Sequence, residues 1–217
     1  IKLKNKLLNK DLKFNIINDI RKNKKISFKG KIRNASINSK EIKKNDIFFA
    51  IKGKNKDGNK FINEAFKKGA SLAVVNKIDK SKKRNKQIKV ENTLTFLTKA
   101  SEIIRQNSLS KIIAITGSCG KTSTKEFLSS LLGDGNLKTR GNLNNHLGVP
   151  LTLLRLNKEY ENAVVEIGMN APGEIAGLAR ISQPDYSIIT TVAPVHLQGV
   201  GSLEGVALEK AALAAAT

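Results

Sequence analysis

One strand-like run that leads into a glycine-rich turn constrains the fold of this 217-residue chain more than any other feature. Residues 111–116 (KIIAIT) predict a buried strand, and residues 117–122 (GSCGKT) follow it directly before a predicted helix. A turn of this kind points backbone N–H groups at phosphate oxygens, and the helix N-terminus favours their negative charge. The usual eight-residue pattern has its first glycine where this chain has Ile115, but the remainder is matched and predicts a phosphate-binding loop.

Two side chains at the end of this turn have the chemistry that nucleotide binding needs. Lys121 can reach the outer phosphates, and Thr122 can offer its hydroxyl to Mg²⁺. The letters GKT alone occur often by chance, whereas GKT between a strand and a helix is a specific signal. An ordinary turn between a strand and a helix is the alternative.

Strands and helices alternate through the second half of the chain. The predicted strands are residues 111–116, 163–167 and 186–190, and the predicted helices are residues 121–132, 172–181 and 203–216. Strands separated by helices of this length predict an α/β fold, a mostly parallel sheet with helices on both faces. Phosphate sites in such sheets lie beyond the carboxyl ends of the strands, where the glycine-rich turn falls.

The first half predicts a smaller α/β domain. Apolar runs at residues 46–51 and 70–75 have the length of strands, and helical spacing marks residues 61–68 and 93–105. Gly69 predicts the end of the first of these helices.

Polar segments separate these elements. The nearly all polar residues 76–89 predict an exposed loop, and residues 106–110 predict a linker. We therefore expect two domains, residues 1–107 and 108–217.

The net charge of +21 resides in the first half. Residues 1–111 hold 31 Lys and Arg against 9 Asp and Glu, whereas residues 112–217 hold 8 against 9. A basic half is common in nucleic-acid-binding proteins. Here lysine outnumbers arginine 32 to 7, and residues 1–111 contain no Tyr or Trp with which to stack bases. We expect a solvated basic surface and no nucleic-acid partner, although the positive field would attract a polyanionic substrate.

Composition also predicts the cellular setting. The single cysteine, Cys119, excludes a disulfide framework within one chain. The first ten residues lack the apolar core of a signal peptide, and the longest uncharged stretch, residues 186–203, contains proline, histidine and glycine. We expect no membrane insertion and a reducing, cytoplasmic location.

Three further polar residues follow predicted strands or lie on the last helix. Glu166 lies at a strand end, so its carboxylate is expected beside the glycine-rich turn, where it could hold Mg²⁺. A strand-end glutamate that faces solvent is the alternative. For His196, which follows the strand at residues 186–190, a structural role and a ligand role are equally open. From its position on the last helix alone, Lys210 is expected to be a surface lysine.

An amide-rich segment lies in the sequence between the predicted strands at residues 111–116 and 163–167. Residues 141–150 (GNLNNHLGVP) place four amide or imidazole side chains in an apparent loop. This density suggests the lining of a polar ligand site, and asparagine-rich turns are the alternative.

Four segments, taken in order, resemble the Mur ligases. They are TGSCGKTSTKEF, GNLNNHLGVPLTLL, EIGMNAPGEI and APVHLQGVGSLEGVALEK. The patterns NNxxGVP and EIGxNxPGEI resemble the member that adds D-alanyl-D-alanine to UDP-N-acetylmuramoyl-tripeptide, and not the member that adds the third amino acid. Residues 38–40, 46–53 and 57–58 of the first half resemble the UDP-binding domain of that family.

The resemblance implies an ATP-dependent amide ligation on a P-loop-type domain. The terminal carboxylate of UDP-N-acetylmuramoyl-tripeptide would take the γ-phosphoryl group of ATP, and the amine of D-alanyl-D-alanine would displace phosphate from the acyl phosphate. Because both the carboxylate and ATP are anions, catalysis is mainly positioning and charge neutralisation.

The resemblance also implies the site residues. The catalytic residues would be Lys121, His196 and Lys210. Mg²⁺ would be held by Thr122, Glu166, His196 and Lys210, the last after carbamylation, which turns a cation into an anionic oxygen ligand. The nucleotide would contact Gly117, Ser118, Cys119, Gly120, Lys121, Thr122 and Ser123. The peptide and UDP parts of the substrate would contact Ser39, Lys52, Gly53, Asp57, Gly58, Asn142, Asn144 and Asn145.

Two motifs and the length depart from the family. Residues 38–40 are Asn-Ser-Lys where Asp-Ser-Arg is usual, and residues 57–59 are Asp-Gly-Asn in place of Asp-Gly-His. Family members are longer and carry a C-terminal domain, so we expect a fragment that does not turn over by itself. The alternatives are a sister ligase that adds the third amino acid and a non-catalytic module that binds a nucleotide or a UDP-sugar.

Overall fold

The computed structural model describes residues 32–53, 56–80, 84–194, 199 and 201–217. The chain divides into two compact units between Asn107 and Ser108. In the described part of the chain, no helix is both long and apolar enough to cross a membrane.

The first unit is built on a parallel sheet with strand order β1-β2-β3-β4. The strands are β1 (Ala35–Ser36), β2 (Ile47–Phe49), β3 (Leu72–Val75) and β4 (Gln87–Lys89). The α-helices are α1 (Ile62–Lys67) and α2 (Thr93–Gln106), and 3₁₀ helices cover Ser39–Glu41, Gly58–Phe61 and Arg84–Lys86. Because the strands are parallel, the segments that follow them all leave from one edge of the sheet.

The two strands and two helices predicted for this unit are confirmed, and Gly69 ends α1 with a φ of +106°. The prediction of a loop over residues 76–89 is wrong at its end, where β4 forms. Gln87 is only 2% exposed in β4 because its side-chain amide exchanges two 2.9 Å hydrogen bonds with the backbone of Asp79. A polar side chain that is fully paired can be buried in a strand, and hydropathy does not detect it.

The second unit is built on a parallel sheet with strand order β6-β7-β5-β8. The strands are β5 (Lys111–Thr116), β6 (Asn136–Lys138), β7 (Asn162–Glu166) and β8 (Tyr186–Ile189). The helices are α3 (Lys121–Leu131), α4 (Gly148–Leu153), α5 (Glu174–Ser182) and α6 (Leu203–Ala215), and they lie on both faces of the sheet. The α/β prediction is confirmed.

The register brings three strand ends together. Ile115 of β5 pairs with Glu166 of β7, and Thr116 pairs with Ile189 of β8. The glycine-rich turn after β5 therefore lies between the segments that follow β7 and β8.

Two predicted boundaries in this unit are corrected. The predicted loop at residues 141–150 contains the start of α4. The helix predicted from Pro172 begins at Glu174, because Gly173 caps it with a φ of +81° and Pro172 precedes the first turn. Strand β6 was not predicted, since Leu137 is its one buried residue.

Candidate functional site

The glycine-rich turn after β5 can pack only with glycine at position 117. Gly117 has a φ of +151°, and a Cβ atom there would lie 1.9 Å from the hydroxyl oxygen of Thr190. Gly120 has a φ of +80° and caps the N-terminus of α3. The turn is therefore held tightly against the end of β8.

The segment after β8 binds the outer part of this turn. The N–H groups of Ser118 and Cys119 donate to the carbonyl and hydroxyl oxygens of Thr191, at 2.9 and 3.0 Å. The Ser118 hydroxyl donates to the Ala193 carbonyl at 3.0 Å and accepts its N–H at 2.9 Å. Ser118 and Cys119 are two of the predicted nucleotide contacts, and these groups of theirs are hydrogen-bonded within the protein.

The first turn of α3 carries the groups suited to an anion. The first N–H groups of a helix have no acceptor within the helix, and in α3 they belong to Lys121, Thr122 and Ser123. The Lys121 ammonium group donates to the Gly117 carbonyl at 2.6 Å, so its charge lies over the turn. A phosphate at this helix end would meet both the N–H groups and the ammonium group.

Glu166 is buried against Thr122, at the end of β7. Its side chain is 1% exposed, which removes the alternative of a solvent-facing glutamate. The Thr122 hydroxyl lies 3.2 and 3.1 Å from the two carboxylate oxygens, and the Asn144 amide donates to one of them at 2.8 Å. The sequence prediction that Glu166 lies beside the turn agrees with this geometry.

The donors at this position fit Mg²⁺. Hydroxyl and carboxylate oxygens are the ligands that this hard cation takes, with water and phosphate oxygens completing the shell. Among the described residues, no three or more His, Cys, Asp and Glu side chains form a group that could hold a metal ion. His196 lies outside the described residues.

Lys210 on α6 is not the surface lysine that its position suggested. It is 1% exposed, and its ammonium nitrogen lies 3.8 Å from the Met169 sulfur. Burial lowers the pKa of Lys210, and the charge of Lys121 lowers it further, against an opposing effect of Glu209. Both effects favour the uncharged amine.

The three asparagines of the amide-rich segment have different surroundings. Asn144 reaches Glu166, and its own carbonyl accepts the Gly168 N–H at 2.8 Å. The Asn145 side chain accepts the N–H groups of Leu147 and Gly148, both at 3.0 Å, at the start of α4. Asn142 is exposed. Of the three, Asn144 lies at the carboxylate.

We expect Asn145→Ala to lower the free energy of unfolding by about 1 kcal/mol, because it removes the acceptor for two N–H groups at a helix start. Asn142→Ala is the matched control and should stay within about 0.5 kcal/mol of the wild type. Urea unfolding measures both. Equal effects would contradict the capping role.

Two buried residues near Glu166 were not predicted. Lys125 is 0% exposed, and Thr139 accepts the Glu166 N–H with its hydroxyl oxygen at 3.0 Å. Lys125 stands four residues after Lys121, which places both on one side of α3. That spacing was the available signal, but a lysine on a helix is usually exposed.

The predicted substrate residues of the first unit follow β1 and β2. The Ser39 hydroxyl is buried and donates to the Glu64 carboxylate at 2.6 Å. Lys52 and Asp57 form an isolated antiparallel bridge that closes the loop containing Gly53. A Cβ at Gly58 would lie 2.7 Å from the Ile51 backbone, so this loop also requires a glycine.

Asp57 caps the 3₁₀ helix that begins at Gly58. One carboxylate oxygen accepts the Asn59 N–H at 2.9 Å and the Asn59 amide at 2.6 Å, and this amide also donates to Asn76 after β3 at 2.7 Å. These hydrogen bonds from Asn59 lower the pKa of Asp57, aided by the charges of Lys52 and Lys60 and opposed by burial. The loops after β2 and β3 are joined through Asn59.

The lowered pKa of Asp57 predicts a stability difference that depends on pH. The carboxylate stabilises the fold above its unfolded pKa of about 3.8, and this contribution is lost as the pH falls through the lower folded pKa. Asp57→Asn should therefore reduce the free energy of unfolding at pH 7, by less than about 1 kcal/mol in this solvent-screened position. The difference should vanish below the folded pKa. Urea unfolding from pH 2 to 7 tests this. The control is Asp134→Asn at an exposed position, which should leave the free energy of unfolding unchanged at pH 7. A stability difference for Asp57→Asn that stays the same at low pH would contradict the prediction.

Comparisons with known proteins find relatives of both units. The family model described as "Mur ligase middle domain" matches residues 115–217, and that of the "Mur ligase family, catalytic domain" matches residues 31–105. The UDP-N-acetylmuramoyl-tripeptide–D-alanyl-D-alanine ligase of Rickettsia prowazekii is 42% identical over 175 residues, which are 80% of this chain and 39% of that protein.

Solved structures give the same result. A crystal structure of MurF from Acinetobacter baumannii matches with a TM-score of 0.79 and 34% identity, over 92% of this chain and 44% of that one. MurF ligase from Thermotoga maritima in complex with ADP matches with a TM-score of 0.70 and 34% identity, over 83% of this chain and 42% of that one. The chain spans about two fifths of the length of these proteins.

Proposed function

The chain belongs to the Mur ligase family, and from this we propose that it carries parts of an ATP-dependent ligase of peptidoglycan precursor synthesis. The ligase joins D-alanyl-D-alanine to UDP-N-acetylmuramoyl-tripeptide. The observation that carries the proposal is the buried Glu166 carboxylate, whose oxygens lie 3.1 and 3.2 Å from the Thr122 hydroxyl at the N-terminus of α3. The complex of the Thermotoga relative with ADP supports a nucleotide as a ligand of this chain.

The main obstacle in this reaction is the repulsion between two anions. The substrate carboxylate must approach the γ-phosphate of ATP, and the Lys121 ammonium group with the N–H groups of α3 would neutralise the phosphates. A carboxylate oxygen attacks the γ-phosphorus and ADP leaves. The amine of D-alanyl-D-alanine then attacks the carbonyl carbon of the acyl phosphate, and phosphate leaves with that oxygen.

Thr122 and Glu166 would hold Mg²⁺ in this scheme, with His196 and a carbamylated Lys210 as the further ligands. When bound, Mg²⁺ supplies additional charge neutralisation on the phosphates. The burial and the lowered pKa of Lys210 support its modification, because only the uncharged amine reacts with CO₂ to give a carbamate and a proton.

We assign residues 1–107 to the UDP part of the substrate and residues 108–217 to the first part of the ATP-binding domain. Ser39, Lys52, Gly53, Asp57 and Gly58 follow the carboxyl ends of β1 and β2, where parallel sheets bind their ligands. The positive charge of the first half favours a diphosphate there. Asn142, Asn144 and Asn145 would border the peptide end of the substrate. We place the reaction in the cytoplasm, where ATP is available.

The test is product formation by the full-length protein. With ATP, Mg²⁺, UDP-N-acetylmuramoyl-tripeptide and D-alanyl-D-alanine, we expect mass spectrometry to find the UDP-linked pentapeptide, and omission of any one component to abolish it. A second assay replaces the substrates with UDP-N-acetylmuramoyl-dipeptide and either meso-diaminopimelate or lysine. Ligation of that pair alone would identify a sister ligase, and nucleotide binding without any ligation would identify a non-catalytic module.

A further inference from the structure

Lys125 is a fully buried cation beside the predicted nucleotide site. Its side chain is 0% exposed, although lysine is among the residues least often buried. The ammonium nitrogen donates to the Gly141 carbonyl at 2.7 Å and lies 3.4 Å from a Glu166 carboxylate oxygen and 3.2 Å from Glu126. A charge is stable in such a position only when it is paired and hydrogen-bonded.

The Glu166 carboxylate is fixed from several directions. One oxygen is within hydrogen-bond reach of Thr122 and Asn144, and the other is within reach of Thr122 and paired with Lys125. Of these three partners, Lys125 is the one that carries a charge. Removing it would leave a buried carboxylate held by neutral donors.

Lys125 also connects three parts of the second unit. It lies on α3, which begins at the glycine-rich turn, and its ion pair reaches the end of β7. Its bond to the Gly141 carbonyl reaches the segment that carries Thr139 and Asn144, and both of these contact Glu166. The side chain therefore links the helix with Thr122 to the strand with Glu166.

We propose that Lys125 is a positioning residue that orients Glu166 toward Thr122 and so prepares the pair to bind a divalent cation with the nucleotide. This inference rests on the proposed function, because it assumes that Thr122 and Glu166 hold Mg²⁺. Residues that orient metal ligands typically change metal affinity by 10- to 100-fold when they are removed. Lys125 touches neither the nucleotide nor the cation in this account.

The test compares Lys125→Met with Lys138→Met in the full-length protein. Lys138 also pairs with Glu126, but its side chain is 43% exposed, so its variant removes a lysine charge and an ion pair to the same glutamate without reaching Glu166. ADP binding is measured by calorimetry with excess EDTA and across a Mg²⁺ titration. We expect the Kd of ADP in EDTA to stay within about twofold in both variants, because the α3 N-terminus and Lys121 remain. We expect the Mg²⁺ midpoint of tight ADP binding to rise at least about tenfold in Lys125→Met alone.

The outcomes separate this inference from the proposed function. If the wild-type protein binds ADP with no dependence on Mg²⁺, the proposed Mg²⁺ site itself fails. If the wild type responds to Mg²⁺ and Lys125→Met has the same midpoint, the positioning role of Lys125 is wrong. If Lys125→Met weakens ADP binding in EDTA as much as it weakens the response to Mg²⁺, Lys125 has a structural role only, and the proposal is overturned.

Two further variants cover a Lys125→Met protein that fails to fold. Lys125→Met/Glu166→Gln removes both buried charges, so its melting temperature should return toward that of the wild type while the response to Mg²⁺ stays lost. Lys125→Arg keeps the charge but changes its reach, and we expect a raised Mg²⁺ midpoint with ADP binding in EDTA unchanged. A wild-type Mg²⁺ midpoint in Lys125→Arg, together with a double variant that is no more stable than Lys125→Met, would overturn the proposal.

Discussion

Lys121→Met in the full-length protein is expected to lower kcat of the ligation by about 10²- to 10³-fold, the scale of one electrostatic donor to a developing charge. The Lys121 ammonium group lies over the glycine-rich turn, 2.6 Å from the Gly117 carbonyl, at the end of the sheet where phosphate groups bind. Methionine has a similar length and no charge, so the variant removes the ammonium group and keeps the packing. Steady-state phosphate release measures the effect.

Lys138→Met is the control for this prediction. Lys138 is an exposed lysine paired with Glu126, and such pairs contribute about 0–1 kcal/mol. We expect its kcat within about twofold of the wild type, since an exposed pair contributes so little. Equal loss in the two variants would show that net positive charge matters, and retention of activity in Lys121→Met would contradict the role of Lys121.

Gly117→Ala is expected to lower the free energy of unfolding by about 2–5 kcal/mol. A left-handed backbone disfavours alanine by about 1–2 kcal/mol, and overpacking adds about 1–3 kcal/mol. The φ of +151° at Gly117 brings the backbone cost, and the 1.9 Å approach of the new Cβ to the Thr190 hydroxyl oxygen brings the overpacking cost. That hydroxyl also donates to the Cys119 carbonyl at 2.5 Å, so it cannot move without releasing the turn.

Gly133→Ala is the matched control. Gly133 also has a positive φ, +70°, but a Cβ there would meet no atom within 4 Å. We expect it to lose only the backbone part, about 1–2 kcal/mol, in urea unfolding. Adding Thr190→Ala to Gly117→Ala should recover part of the loss, because the nearest remaining atoms lie 3.1 Å away. A Gly117→Ala protein as stable as Gly133→Ala would contradict the packing of the turn.

Apolar runs made most of the fold predictable. β5, β7 and β8 are short apolar segments in the sequence, and Gly69 and Gly120 mark helix boundaries because they adopt positive φ. β4 and β6 were missed because both strands are short and carry polar residues whose hydrogen-bond partners lie outside the strand. Gln87 bonds to Asp79, and the Asn136 amide bonds to the Ser129 carbonyl at 2.9 Å.

The candidate site was predictable where residue type and strand position coincide. Thr122 and Glu166 were predicted to lie close together because both stand at the carboxyl ends of central strands of a parallel sheet. The burial of Lys125 and Lys210 could not be predicted. For Lys125 it depends on Gly141 and Glu166, which are 16 and 41 residues away. Lys210 likewise depends on Met169, 41 residues away. A single sequence gives no sign of such pairs, because an exposed helical lysine has the same local pattern.

The most direct measurement follows ¹⁸O from the peptide to phosphate. UDP-N-acetylmuramoyl-tripeptide labelled in both oxygens of its terminal carboxylate is converted by the full-length protein with ATP, Mg²⁺ and D-alanyl-D-alanine, and the released phosphate is analysed by mass spectrometry. Attack of the carboxylate on the γ-phosphate predicts one ¹⁸O atom in each released phosphate and one in the new amide. Unlabelled phosphate would contradict an acyl phosphate at this site, and with it the assignment of the second unit to carboxylate activation.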